Sequence, residues 1–373
     1  MKLRVVNLLL AAGIAILFTS CKEGNVYYTL ENEVKVEDLS LPNDITLFDV
    51  TKIGTSYYAA AGKIWTVADT AAEWDINATI TPPVSGGICT ALVASPFGAT
   101  LYGGFINGAG NLGLYESTAA PSFSGLSAVS DPIINGAQIA LLKTINDGVN
   151  DWLVAVTARH LPGENFTFGI AAFNNLAWGT FDTSVRVSPE DQKPFNDIIW
   201  STNFSRWYAT SGTKLYTKAV TGLAGAFVES TPANAASGEE FTGLLEWGTR
   251  VYLSSRSGAV FYTSDGATWT RIEAPAISGT YPPLTRFAGP VDAGIVLVGS
   301  DGYGYYLLDT ADLGGTDPLT RYPTTTSDLY MAAVQKLYFD SGKSRVFACT
   351  SMGGLWRGAV LGDGLGSIDW NLE

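Results

Sequence analysis

The chain has 373 residues, of which 46% are hydrophobic, 12% aromatic and 15% charged, the makeup of a packed globular domain and not of a disordered stalk. A net charge of −13 leaves no basic stripe to release phosphate counterions, which excludes nucleic acid as a partner and disfavours anionic headgroups. With one histidine, His160, metal sites, catalytic triads and haem ligation built on imidazole lack their ligands.

In chain order, Lys2 and Arg4 precede an apolar run from Val5 to Phe18. That run is too short for the roughly 20 residues a helix needs to span a bilayer, and it predicts a signal peptide at residues 1–20. It ends in Phe18-Thr19-Ser20-Cys21, which resembles the bacterial lipobox: an apolar residue, two small ones, then a cysteine. Phe18 stands where that motif usually has leucine. The resemblance implies that Cys21 becomes the lipidated N-terminus, carrying two or three acyl chains. Each buried CH₂ contributes about 0.8 kcal/mol, so such an anchor is permanent. An uncleaved anchor helix or an ordinary secretory peptide are the alternatives. Lys22 follows the cysteine, where an aspartate would resemble the inner-membrane retention signal of enteric bacteria. The expected location is therefore the cell envelope, lipid-anchored, with the outer membrane favoured and the domain facing the periplasm or the surface. Cleavage removes Lys2 and Arg4, so the net charge moves from −13 to −15.

Residues 21–44 read as the lipidated terminus and a polar tether, with Val26 to Leu30 able to pair onto the domain. From Ile45 the texture changes. Short β-branched or aromatic runs close on Gly, Asn, Asp or Ser, and no sustained helical period appears. A strand–turn–strand unit recurs, and aligning Tyr58, Tyr102, Leu153, Tyr208, Tyr252, Val296 and Phe347 gives spacings of 44, 51, 55, 44, 44 and 51 residues. A four-stranded propeller blade needs about 40–50 residues. The fold expected for residues 45–373 is thus an all-β, seven-bladed β-propeller, with runs such as Leu141-Leu142 and Gly243 to Trp247 as innermost strands. Trp74, Trp178, Trp269 and Trp370 fall at the fourth strand of their units. Cys89 and Cys349 lie in separate apolar runs and read as buried free thiols.

One segment, Ser264-Asp265-Gly266-Ala267-Thr268-Trp269, resembles the Asp box of sialidase-like propellers, with weaker echoes before Trp74, Trp178 and Trp370. The resemblance implies a structural turn. Asp265 would accept backbone N–H bonds, Gly266 would take a positive φ, and Trp269 would pack between blades. It transfers no catalytic residue. A sialidase clamps a carboxylate with three arginines; here Arg159, Arg206, Arg250, Arg256 and Arg286 are spread over later units, and the first two units contain none. No phosphate loop, dinucleotide fingerprint or Gly-x-Ser-x-Gly occurs, so no cofactor is expected. Asp301, Asp309 and Asp312 lack the dense oxygen loop of a calcium site and read as turn carboxylates, and no metal is expected.

Function therefore falls to a surface. The turn between second and third strands, with the connections between blades, forms the face on which propellers usually bind. There the sequence places Asn107, Asn111, Arg159, His160, Glu164, Arg256, Asp301 and Tyr303. Arg159, His160, Arg256, Asp301 and Tyr303 are the candidate binding residues, because Arg and Tyr supply area and directed hydrogen bonds. The expected role is a non-catalytic binding or scaffolding module for a protein or glycan partner. The alternative is a sialidase-like glycoside hydrolase acting at the channel mouth.

Overall fold

The computed structural model describes residues 46–373 except 72–73, 75–78, 81, 84, 108–109, 118–125, 130–133, 135, 160–166, 182–192, 194, 293, 316, 323–327 and 352. Cys21, the tether, Val26 to Leu30, His160 and Glu164 lie outside the described residues.

The chain is a seven-bladed β-propeller: seven sheets, each of four antiparallel strands in sequence order. The innermost strands are Asp49–Ile53, Ile88–Ala94, Gln138–Asn146, Phe195–Ser201, Phe241–Trp247, Leu284–Asp292 and Val334–Asp340. These begin blades 1 to 7.

The second strand of each blade explains the architecture. Residues 57–61, 207–211, 251–255, 295–300 and 346–350 are buried without interruption, where a sheet with one wet face would alternate. Both faces are covered because a blade lies on either side. The hydrophobic core accordingly falls into seven clusters, and each joins two neighbouring blades. Leu141, Trp152 and Ile170 of blade 3 meet Phe195, Ile198 and Trp207 of blade 4, for example. Among the described residues no blade has a core of its own. Cys89 and Cys349 are free and buried, and burial pushes both thiols well above the usual cysteine range.

All four strands of a blade come from one continuous segment, so among the described residues no strand is shared across the seam between blades 7 and 1. The Leu47 N–H donates to the Thr350 carbonyl across it (3.1 Å), and side chains complete the closure. Tyr57 packs edge-on against Phe347 with ring centroids 4.8 Å apart, and Trp74 contacts the same ring at 6.5 Å. Arg345 donates to the Asp69 carbonyl (2.9 Å) and Arg357 to the Ala71 carbonyl (3.2 Å). Lys52 bridges Asp340 (2.6 Å) and Asp69 (3.1 Å), and the Tyr57 hydroxyl donates to Asp340 (2.6 Å).

This cluster makes the seam pH-sensitive. Burial alone would raise Asp340, but the bonds from Lys52 and Tyr57 outweigh it and hold the carboxyl below its ordinary value. Asp69 is lowered as well, by Lys52 and then Lys343. A carboxylate with a depressed folded pKa stabilises fully above its unfolded value, about 3.9, and that stability is lost as pH falls through the folded value. The melting temperature should therefore hold from neutrality to about pH 5 and drop below it, and Asp340→Asn should flatten the acid limb. An unchanged acid limb in the variant removes Asp340 from the account.

Candidate functional site

The ring encloses a channel with two mouths. The upper one lies where the innermost strands begin, beside the turns between second and third strands. The lower one lies where those strands end.

In six blades the innermost strand carries a register shift where it begins, which sets one extra residue against its neighbour. The residues at these shifts are Thr90, Ala140, Asn196, Thr242, Thr285 with Arg286, and Gln335, and all line the upper cavity of about 440 Å³. Their polar groups stitch the ring. Thr90 donates to the Ile139 carbonyl (3.0 Å), Thr242 to Leu284 (3.0 Å) and Thr285 to Val334 (2.8 Å), each in the next blade. Asn196 does the same through its amide to Phe241 (2.5 Å). The upper rim is thus a ring of short, oriented polar side chains on a rigid scaffold.

Below it lie the charged groups. Lys336 pairs with Asp49, and Lys143 with Asp197. Both carboxylates are nearly inaccessible and already occupied: Asp49 also accepts the Leu92 N–H (3.1 Å), and Asp197 accepts those of Ile198 (2.8 Å) and Leu244 (2.9 Å). Burial pulls the Lys143 ammonium below its ordinary value; Asp197 opposes this, while Arg286 and Lys336 add to it. Lys336 also lines the lower cavity, of about 620 Å³, together with Lys52, Trp200, Glu246 and Tyr338. Glu246 is occupied there by Ser201, by the Thr202 and Asn203 amides and by the Asn203 side chain. A glycoside hydrolase needs one carboxyl to give a proton and another to act as base or nucleophile. The described channel carboxylates Asp49, Asp197 and Glu246 are already committed to holding blades together.

The structure brings three of the five candidate residues to the upper face. Arg256 lines the upper cavity at the rim, 58% exposed, with Glu240 at 3.7 Å. Asp301 accepts from the Gln335 amide (3.1 Å), which ties it to the same ring. Tyr303 is half-buried, with the Arg321 guanidinium 5.6 Å from its ring centroid, and the same guanidinium lies 3.4 Å from the centroid of Tyr330. Arg159 ends the second strand of blade 3, paired with Thr167, and its side chain lies outside the described residues, as does that of Asn111. Asn107 ends the second strand of blade 2.

Of the remaining arginines, Arg206 and Arg250 sit on the lower face as inter-blade ties. Arg206 donates to the Gly266 carbonyl (3.4 Å) and Arg250 to that of Thr310 (3.0 Å), as Arg345 does to Asp69 across the seam. All three open the second strand of their blade, so a recurring Arg at that position marks a tie and not a clamp. Arg286 alone projects into the channel region of the upper cavity, and Asp49, Asp197, Lys143, Lys336 and Arg321 were not among the sequence candidates. For the first four the signal was weak but present, a charged residue inside an innermost strand, whereas Arg321 lies in the fourth strand of blade 6, Leu319–Tyr322.

The lower face carries the turn at Asp265. The carboxylate accepts the Ala267 and Thr268 N–H groups (2.8 and 2.7 Å) and the Thr263 hydroxyl (2.9 Å), bonds that hold it well below the usual carboxylate range. Ser264 occupies the same exposed turn. Gly266 has φ +74°, where a side chain is strained, and a Cβ there would press on the Phe204 ring at 3.0 Å. Related turns use Asn174, Asp309 and Asp363 as acceptors, so Asp309 caps its own turn. Among the described residues no cluster of three or more His, Cys, Asp or Glu could hold a metal.

No known protein family matches the chain, and no curated protein does. Solved structures do. YCF48 bound to D1 peptide is 13% identical with a TM-score of 0.56, over 85% of this chain and 92% of that one. The extracellular domain of a putative hybrid two-component system of B. thetaiotaomicron is 13% identical with a TM-score of 0.54, over 90% of this chain and 46% of that one. PorZ, a surface component of the type-IX secretion system of Porphyromonas gingivalis, is 12% identical with a TM-score of 0.53, over 88% of this chain and 38% of that one. At these identities the likeness shows the fold alone.

Proposed function

We propose that this chain is a lipid-anchored envelope protein whose propeller is a non-catalytic binding module, with the upper channel face as its working surface and a protein as its partner. One observation carries the reading. The upper mouth is an open cavity ringed by fixed hydroxyl, amide and guanidinium groups, while the channel carboxylates beneath it are occupied. Polar groups held fixed around an open mouth, with spare N–H donors on Arg286, suit recognition, and saturated carboxylates do not suit proton transfer. YCF48 in complex with a peptide, and PorZ as a surface component, are propeller-like structures consistent with this reading. The Asp265 turn, which resembles an Asp box, is on this account a folding device.

Two experiments separate the parts. For the anchor, Cys21→Ser should abolish metabolic palmitate labelling and shift the protein out of the detergent phase; persistent label in the variant overturns it. For the surface, a photoreactive residue is placed at Arg256 or Tyr303 on the upper face, and at Val149 or Leu365 in lower-face turns. Discrete adducts in intact cells should form from the upper positions. Adducts from the lower positions alone would reverse the assignment of faces.

A further inference from the structure

We propose that the upper mouth receives the carboxylate of an acidic peptide segment, with Arg286 as the anchoring cation; this rests on the reading of the upper face as a partner surface. In the channel below the rim Lys143 and Lys336 stand against Asp197 and Asp49, and Arg286 lines the cavity above them. The lysines take both carboxylates. Arg286 is left with one hydrogen bond, from Nη2 to the Asn196 carbonyl across the ring at 3.0 Å, and among the described residues no carboxylate lies within ion-pair distance of it. A guanidinium presents five N–H donors in a planar fork whose best match is a carboxylate taken bidentately.

Arg286 lines a cavity of about 440 Å³ with Thr90, Thr242 and Gln335, and Arg256 stands exposed at its rim. The space admits a side chain and its adjoining backbone, but not a folded element. Low-dielectric walls concentrate the field of the uncompensated cation inside the mouth, even though the whole chain is acidic. That acidic exterior also favours a ligand whose negative charge is confined to a narrow tip. A peptide loop or tail offers this, and an anionic membrane surface does not.

The probe is hexaglutamate, titrated calorimetrically into the full propeller at low salt, with hexaglutamine as the neutral control and glutarate as a free dicarboxylate. Hexaglutamate should bind once per propeller and weaken as salt rises, while hexaglutamine should not bind. Arg286→Gln should weaken binding about tenfold or more, and Arg286→Lys, which keeps the charge but loses the fork, should fall between. Since Arg286→Gln also removes the bond to Asn196, a second pair guards against misfolding. Ala140 is exposed in the same cavity, so Ala140→Glu should block the probe with its own carboxylate, and Ala140→Gln should not. No binding of hexaglutamate, or equal binding by Arg286→Gln and Ala140→Glu, overturns the proposal. Glutarate binding as tightly as hexaglutamate overturns the assignment to a peptide. If the probe fails while cross-links still map to the upper face, only this inference falls; if it binds while cross-links map to the lower face, the broader reading falls.

Discussion

Trp269→Ala should lower the stability of the propeller by about 3–5 kcal/mol, as expected for removal of a large buried aromatic from a packed interface. Trp269 is 7% exposed and reaches out of blade 5 to meet Tyr208 of blade 4 edge-on, with centroids 6.2 Å apart. It belongs to the cluster that fills that interface. Because no blade has its own core, the void cannot be closed by local repacking within one sheet. Chemical denaturation should show the loss at an unchanged slope, and the folded fraction should bind any upper-face ligand normally. A loss below about 1 kcal/mol would show that the ring does not fill its interface and that the blades hold by other contacts. Asp265→Ala should lower the melting temperature in the same direction and leave binding intact.

Asp49→Ala should cost about 3–5 kcal/mol, because it strands a charge in a confined channel. Asp49 is 2% exposed, pairs with Lys336 across the seam between blades 1 and 7, and accepts the Leu92 N–H from blade 2. One side chain therefore links three blades. The double variant Asp49→Asn with Lys336→Met keeps an acceptor for Leu92 and removes both charges, so it should recover most of the loss. A double-mutant cycle of Asp49→Asn, Lys336→Met and the two together measures the coupling directly. Additive losses would mean that the pair contributes no coupling and that the seam rests on Tyr57, Trp74 and Phe347.

The blade count was legible because the second strand of every blade sees the same surroundings. An apolar or aromatic residue recurs there, at Tyr58, Tyr208, Tyr252 and Phe347 among others, and the spacing of such residues is set by the ring. The tryptophans were only partly legible. Trp178 and Trp370 lie in fourth strands, whereas Trp74 and Trp269 precede theirs, in positions from which they reach the preceding blade. Trp178 stacks on Phe173 of its own blade, with centroids 5.3 Å apart. The channel was not legible. Whether a charged residue in an innermost strand points inward depends on the local register shift, and a shift of one residue turns the side chain to the other side. Arg206 and Arg286 look alike in sequence, yet one ties two blades on the lower face and the other stands in the upper cavity.

The central claim, that the upper face does the work, is tested most directly by amide hydrogen exchange on the propeller, alone and in the partner complex isolated from the envelope. Protection on binding should concentrate in residues 255–258, 301–304 and 332–336, around Arg256, Tyr303 and Gln335. Protection confined to residues 202–205, 264–268 and 361–367, with the upper segments unchanged, would contradict it.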